Sequence, residues 1–230
     1  MLPWKNEEEF IKAAEKVEFG KEIIEAPPIE EYLIDSFCVE VEWKDNVEVE
    51  LAAITGTVHP DYQGRTWLWL LKHGKRMKIN LSELIYNPEY YFLAEKKLPS
   101  MSYLQIGKKY YVYSDGNHRT CIARFLFFLL QKRLILSGVE IYRKRLDFEA
   151  YRAWEKLGGY EGMVHMKRAK IHREDGSGWM REYYEIRFGV FKGKRYYRNL
   201  TSRELIELSK ERKTNLFSKM KTKIANFLGG

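Results

Sequence analysis

The sequence predicts an α/β (α+β) fold, in which helical and extended segments alternate along the chain. Three observations carry that reading. Tyr111-Val112-Tyr113 runs through a polar turn into the apolar segment Cys121 to Leu130, a strand, turn and buried helix. Period-two alternation recurs at residues 37–51 and 164–191. Helix-capping spacings open the segments that begin at Asn6 and at Thr201.

The 230 residues are 45% hydrophobic and 15% aromatic, enough to bury a core, while 31% charged residues and a mean hydropathy of -0.50 suit a water-soluble chain. The longest apolar run, Phe125 to Leu130, is far short of the roughly 20 residues a membrane span requires, so no transmembrane span is expected. Glu7-Glu8-Glu9 near the N-terminus does not read as a signal peptide. Cys38 and Cys121 form neither a disulfide framework nor a metal-ligand spacing, which points to the reducing cytoplasm as the compartment.

Charge is distributed unevenly. Residues 1–60 hold 5 Lys/Arg against 15 Asp/Glu, residues 61–160 hold 18 against 9, and residues 161–230 hold 17 against 8. We therefore read an acidic N-terminal region over 1–60, a core over 61–148 and a basic C-terminal region over 149–230. The basic parts suit a phosphate-bearing partner, and the acidic part suits docking of a protein partner.

Taken in order, Asn6-Glu7-Glu8-Glu9 with Phe10, Ile11, Ala14 and Val17 predicts a capped amphipathic helix. Phe37, Val39, Val41 and Trp43, then Val47, Val49 and Leu51 after Lys44-Asp45-Asn46, predict a hairpin. His59 to Gly64 is a loop by composition, and Trp67 to Leu71 fits a buried strand or a short helix equally. Met77-Lys78-Ile79-Asn80-Leu81 predicts a short strand, and Pro88 breaks the chain after Asn87. A strand and turn over Ser102 to Lys109 lead to Tyr111-Val112-Tyr113, a helix from Asn117 to about Leu130, and a strand at Val139 to Arg143. A helix to Leu157 precedes two strands, 164–174 and 179–191, joined by a Gly-containing loop. Thr201-Ser202-Arg203-Glu204 has capping-box spacing.

The chemistry concentrates at Asp115-Gly116-Asn117-His118-Arg119-Thr120. Helix N-termini leave N–H groups unpaired and carry partial positive charge, so this turn is a candidate phosphate site. Gly116 admits close approach, the N–H groups from Asn117 onward donate, and His118 and Arg119 add side-chain donors, with Arg119 suited to bidentate contact. Asp115 is suited to holding the turn, orienting His118 or meeting a divalent cation carried by a nucleotide.

Ile79 to Leu84 followed by Asn87-Pro88, Gly107 to Val112, Asp115-Gly116-Asn117-His118-Arg119 with Ala123, and Val139-Glu140-Ile141 together resemble the ParB/sulfiredoxin superfamily, over about residues 77–145. The resemblance implies a compact α/β domain that binds a nucleoside triphosphate, ATP or CTP with Mg2+ or another divalent cation, on residues 116–120. Sulfiredoxins carry a cysteine in the turn before the His-Arg pair, where this chain has Asn117, which argues against thiol chemistry. Residues 150–230 lack the helix-turn-helix of the partition proteins. The closest in character are plasmid-encoded ATPase/DNase members, which implies a phosphohydrolase acting on or with DNA. In kinase members a glutamate after the first strand and loop acts as base, and Glu89 is the nearest match, while Glu83 and Glu95 are weaker competitors. His118 is a second candidate acid or base. The alternatives are a small-metabolite kinase using Glu89 and a non-catalytic, nucleotide-gated DNA-binding regulator.

Two further features bear on partners. Arg187, Lys192, Lys194, Arg195 and Arg198 interleave with aromatic residues as a nucleic-acid-binding β surface would, or as a hairpin with aromatic core residues would. Leu216, Phe217, Met220, Ile224, Phe227 and Leu228 fall at helical spacing among lysines, which suits packing on the body, a membrane surface or a phosphate backbone.

Overall fold

The computed structural model describes residues 2–159 and 163–211, and the expected amphipathic segment of Leu216 to Leu228 lies outside them. The fold is α/β, with a mixed sheet whose strands follow in hydrogen-bonded order β2-β4-β3-β5-β1-β7-β6 and with β8 on β7. Those strands are β1 (Cys38–Glu50), β2 (Ile54–Thr57), β3 (Ser102–Ile106), β4 (Lys109–Val112), β5 (Ile135–Leu146), β6 (Met163–Gly176), β7 (Trp179–Lys192) and β8 (Arg195–Leu200). The helices are α1 (Glu7–Ala14), α2 (Glu31–Ile34), α3 (Trp67–His73), α4 (Met77–Tyr86), α5 (Glu89–Phe92), α6 (Asn117–Leu129) and α7 (Phe148–Lys156), followed by a helical stretch over 202–211. Among the described residues no helix is long and apolar enough to cross a membrane.

The chain divides into two compact units. Among the described residues the first holds 2–31, 41–145 and 173–181, and the second holds 32–40, 146–159, 163–172 and 182–211. In the first, β3 and β4 form an antiparallel hairpin, β2 lies parallel to β4, and β5 lies parallel to β3. The connection from β4 to β5 is α6. Its side chains from Thr120 to Phe127 are buried, as expected of a helix apolar on all sides. Trp67, Tyr103, Phe10 and Phe125 fill this core. Buried Arg124 lies over the Trp67 ring (4.3 Å) and the Phe19 ring (4.8 Å), with Glu22 at 3.3 Å. In the second unit Phe37 packs on Tyr151, Trp154 and Phe188.

Capping read from the sequence is present. Asn6 accepts from the Glu9 N–H (3.0 Å), and Thr201 and Glu204 cap each other reciprocally; a further cap, which the sequence analysis does not name, is Asp147 on the Ala150 N–H of α7 (2.9 Å). The β6–β7 hairpin forms as expected, with a tighter loop.

Two expectations are corrected. Residues 37–51 do not make a hairpin: residues 38–50 are one 13-residue strand, β1. Of the intended turn only Asn46 is left-handed (φ 52), and the Asp45 N–H donates to the Gly178 carbonyl (2.9 Å), so the strand continues along distant partners. Met77 to Leu81 is the start of α4 and not a strand. Met77, Leu81 and Leu84 are buried at helical spacing while Ile79 is 66% exposed, so the apparent alternation was coincidental. Trp67 to Leu71, compatible with either element, is helical and is capped by Thr66 on the Trp69 N–H (3.0 Å). Strand β2 has no counterpart in the sequence analysis.

Gly138 on β5 has φ +77, and a Cβ there would lie 1.9 Å from the Glu95 carbonyl oxygen. Its own carbonyl accepts from the Lys97 N–H (2.7 Å). Gly138→Ala is expected to destabilise the protein by about 3 kcal/mol, read as a lower urea midpoint. An unchanged midpoint would contradict this packing.

Candidate functional site

The turn from β4 to α6 is built by its own polar groups. Ser114 and Ser102 share a hydroxyl hydrogen bond (2.6 Å), the Ser114 N–H donates to the Ser102 hydroxyl (3.0 Å), and the Ser102 N–H donates to the Asp115 carbonyl (3.2 Å). Asp115 accepts the Gly116 N–H on Oδ1 (2.6 Å). Gly116 caps α6 at φ 112, where a side chain would be strained, and an added Cβ would meet Met101 at 3.3 Å. The first helical hydrogen bond is Thr120 N–H to the Gly116 carbonyl (2.7 Å). The N–H groups of Asn117, His118 and Arg119 have no protein acceptor among the described residues. They are the unpaired donors that a helix N-terminus presents.

These residues face a cavity of about 680 Å³ within the first unit. It is lined by Ser114 to Arg119, by His59 and Tyr62 of the preceding loop, by Lys75 and Arg76, by Asn80, Glu83 and Asn87 of α4, and by Tyr90, Tyr91, Leu98 and Pro99. A volume of that size accommodates a nucleotide-sized ligand. Asn117 is only 9% exposed, lines the cavity and has no hydrogen-bond partner among the described residues.

Arg119 lines the cavity from the first turn of α6, with most of its side-chain donors engaged by the protein. Nη1 donates to the Tyr90 hydroxyl (2.8 Å) and the Pro99 carbonyl, and Nη2 donates to the Ser100 carbonyl (3.0 Å) and the Asp115 carboxylate (2.8 Å). Four of its five N–H bonds are thus taken up in shaping the cavity wall. Its backbone N–H remains directed to the helix terminus.

His118 lines the cavity with its Nε2 turned to the protein. It accepts from the Arg76 backbone N–H (3.4 Å) and lies 3.2 Å from the buried Tyr62 hydroxyl. An Nε2 acceptor places the ring proton on Nδ1, a neutral tautomer assigned from this network. Burial first, then the nearby Arg76 charge, lowers its pKa below the usual histidine value against the opposing pull of Asp115. Gly74 makes room for the ring, since a Cβ would stand 2.7 Å from His118 Cδ2. His59 stacks on Tyr62 at 4.8 Å between centroids.

Three residues named from the sequence lie elsewhere. Thr120 is fully buried, with its hydroxyl 2.7 Å from the Tyr103 hydroxyl. Glu89 is exposed at the start of α5 and does not line the cavity, whose carboxylates are Glu83 and Asp115. Cys121 is buried, donates to the Trp67 carbonyl (3.3 Å), and has its pKa pushed up by burial, so its thiol is a neutral core group. The cavity also takes in Tyr62, Arg76, Asn80 and Asn87, which the sequence analysis does not name as site residues. Asn80, Glu83 and Asn87 sit at i, i+3 and i+7, a polar helical face that a strand reading of this segment hides.

The basic residues named for nucleic acid belong to the second unit. Arg187 pairs with Glu185 (2.6 Å), and Lys192 donates to the Leu208 carbonyl (3.1 Å) and to Glu211 (2.8 Å). Lys194, Arg195 and Arg198 are exposed, with Arg195 over Tyr197 (4.9 Å) and Arg198 over Tyr196 (5.1 Å).

Because the folded chain holds His118 neutral, the unfolded chain takes up its proton more readily, and stability is lost as pH falls through the ordinary histidine value of 6.5. Melting temperatures followed from neutral pH down to the carboxylate range are therefore expected to fall less steeply in His118→Gln than in the parent. Parallel curves would contradict the assignment. Comparison of the chain with protein-family models, with curated proteins and with solved structures found no match.

Proposed function

We propose that the cavity binds a nucleoside triphosphate, ATP or CTP, with its phosphates on the first turn of α6, and that the chain is a phosphohydrolase acting on or with DNA. The observation that carries this reading is the set of three unpaired N–H groups at Asn117, His118 and Arg119, beside the buried and unpartnered Asn117 side chain, at one wall of a nucleotide-sized cavity. The resemblance of residues 77–145 to the ParB/sulfiredoxin superfamily supports the same assignment.

Roles follow from position. The α6 N–H groups and the Asn117 amide donate to phosphate oxygens, and Arg76 adds positive charge to the lining, while Lys75 is paired with Asp61 (2.7 Å). Arg119 is a positioning residue. It holds the Pro99-Ser100 segment and Tyr90 against the turn. In this reading Glu83, which lines the cavity, takes the part of general base that the family resemblance matches to Glu89, removing a proton from water as its oxygen attacks the terminal phosphorus and the bridging oxygen leaves. A divalent cation accompanies the triphosphate in this reading. Among the described residues no group of three or more His, Cys, Asp or Glu is arranged to hold a metal, and Asp115 is the cavity carboxylate beside the phosphate turn. The basic β7–β8 region supplies attraction for DNA.

Incubation with labelled ATP and CTP, with and without DNA, separates the readings through phosphate release, strand cleavage, transfer to a metabolite hydroxyl, or binding without turnover. Phosphate release is expected, lowered about 10²- to 10⁴-fold in Glu83→Gln with nucleotide binding retained and unchanged in Glu89→Gln. Loss in Glu89→Gln alone would overturn the choice of base. Transfer to a metabolite would favour the kinase, and binding alone the regulator.

A further inference from the structure

The β7–β8 hairpin has two unlike faces. Its register pairs Lys192 with Arg195, Phe191 with Tyr196, Val190 with Tyr197 and Phe188 with Leu200. Between the last two pairs β8 carries one extra residue, and Asn199 there is left-handed (φ 52). Alternation then puts Ile186, Phe188, Val190 and Lys192 on one face of β7, with Arg195 and Tyr197 across from them on β8. That face is the core of the second unit. Phe188 and Val190 are fully buried, and Lys192 is tied to Leu208 and Glu211 of the 202–211 helix.

The opposite face carries Arg187, Gly189 and Phe191 on β7, and Tyr196 and Arg198 on β8. Phe191 is 41% exposed and meets Tyr196 at 4.9 Å between centroids. The Arg198 guanidinium lies over Tyr196 at 5.1 Å. Arg187 stands two residues before Gly189, which contributes no side chain, and shares its charge with Glu185 (2.6 Å). Residues 186–203 carry six Lys/Arg and no Asp/Glu.

We propose that this face, formed by Phe191 and Tyr196 flanked by Arg187 and Arg198, is a stacking platform for single-stranded polynucleotide. An open aromatic pair offers a π-surface to a base whose own face is free, and adjacent arginines meet the phosphates. A duplex conceals its base faces within the stack, so it gains the charge term alone. An apolar protein partner would leave Arg198 without an opposite charge, and an acidic partner would leave the rings unused. The platform divides the five basic residues named from the sequence: Arg187 and Arg198 serve it directly, Lys194 adds charge at the turn, and Lys192 and Arg195 belong to the other face. The inference does not rest on the nucleotide cavity and stands or falls separately.

The test is fluorescence anisotropy of the full chain with labelled oligothymidylate, oligouridylate and a duplex of equal length, about 20 nucleotides each. The single strands are expected to bind at least about tenfold more tightly than the duplex, and the tighter of the two identifies the sugar. Phe191→Ala and Tyr196→Ala are each expected to weaken single-strand binding about tenfold, and Arg198→Ala to reduce the salt dependence by about one unit of slope. Phe191→Trp keeps a stacking ring at an exposed position, retains binding, and reports contact through quenching of its fluorescence by the oligonucleotide. Equal affinity for duplex, unchanged affinity in both alanine variants, or absence of quenching in Phe191→Trp would overturn the proposal.

Discussion

The Arg119 guanidinium organises the wall on which the candidate site depends. It reaches the Tyr90 hydroxyl, two consecutive backbone carbonyls and the Asp115 carboxylate, and these belong to three segments separated in sequence. Charge-assisted hydrogen bonds of this kind contribute about 1.5–3 kcal/mol each where water is excluded, and the side chain is only 11% exposed. The residue that looks most like a phosphate ligand in the sequence thus acts as a clamp. What the clamp leaves open is the first turn of α6, which no side chain caps.

That turn is held from behind as well. Gly116 adopts a backbone state that other residues reach only with strain, and Thr120 anchors the next turn on the buried Tyr103. The rest of α6 is immersed in the core, so its N-terminus is fixed by packing along the whole helix. A rigid helix with three N–H groups lacking protein acceptors is preorganised for an anion, because little ordering remains to be done on binding. His118 fits the same logic. Its neutral ring, seated between Tyr62 and the Arg76 backbone, adds no charge of its own and keeps one ring N–H as a donor.

Local rules carried much of the sequence reading. The caps at Asn6 and Thr201, the strand, turn and helix around Gly116, and the β6–β7 hairpin are set by residues within a few positions of one another. What escaped depends on distant partners. Alternation from Phe37 to Leu51 describes a hairpin and an uninterrupted strand equally well, and pairing of β1 with β5 and β7 decides between them. Met77, Ile79 and Leu81 mimic a strand because an exposed isoleucine interrupts the helical pattern. That misreading also concealed Asn80, Glu83 and Asn87 as one face of the cavity wall. The faces of the β7–β8 hairpin were illegible for a similar reason, since the extra residue at Asn199 shifts the phase within β8.

The central claim is that the first-turn N–H groups of α6 receive phosphate. Amide chemical shifts of the isotopically labelled chain, followed during titration with ATP and with CTP, test it most directly. The account predicts the largest changes at the backbone amides of Gly116 to Arg119 and at the Asn117 side-chain amide. Saturable nucleotide binding that leaves those amides in place and moves a different part of the chain would contradict it.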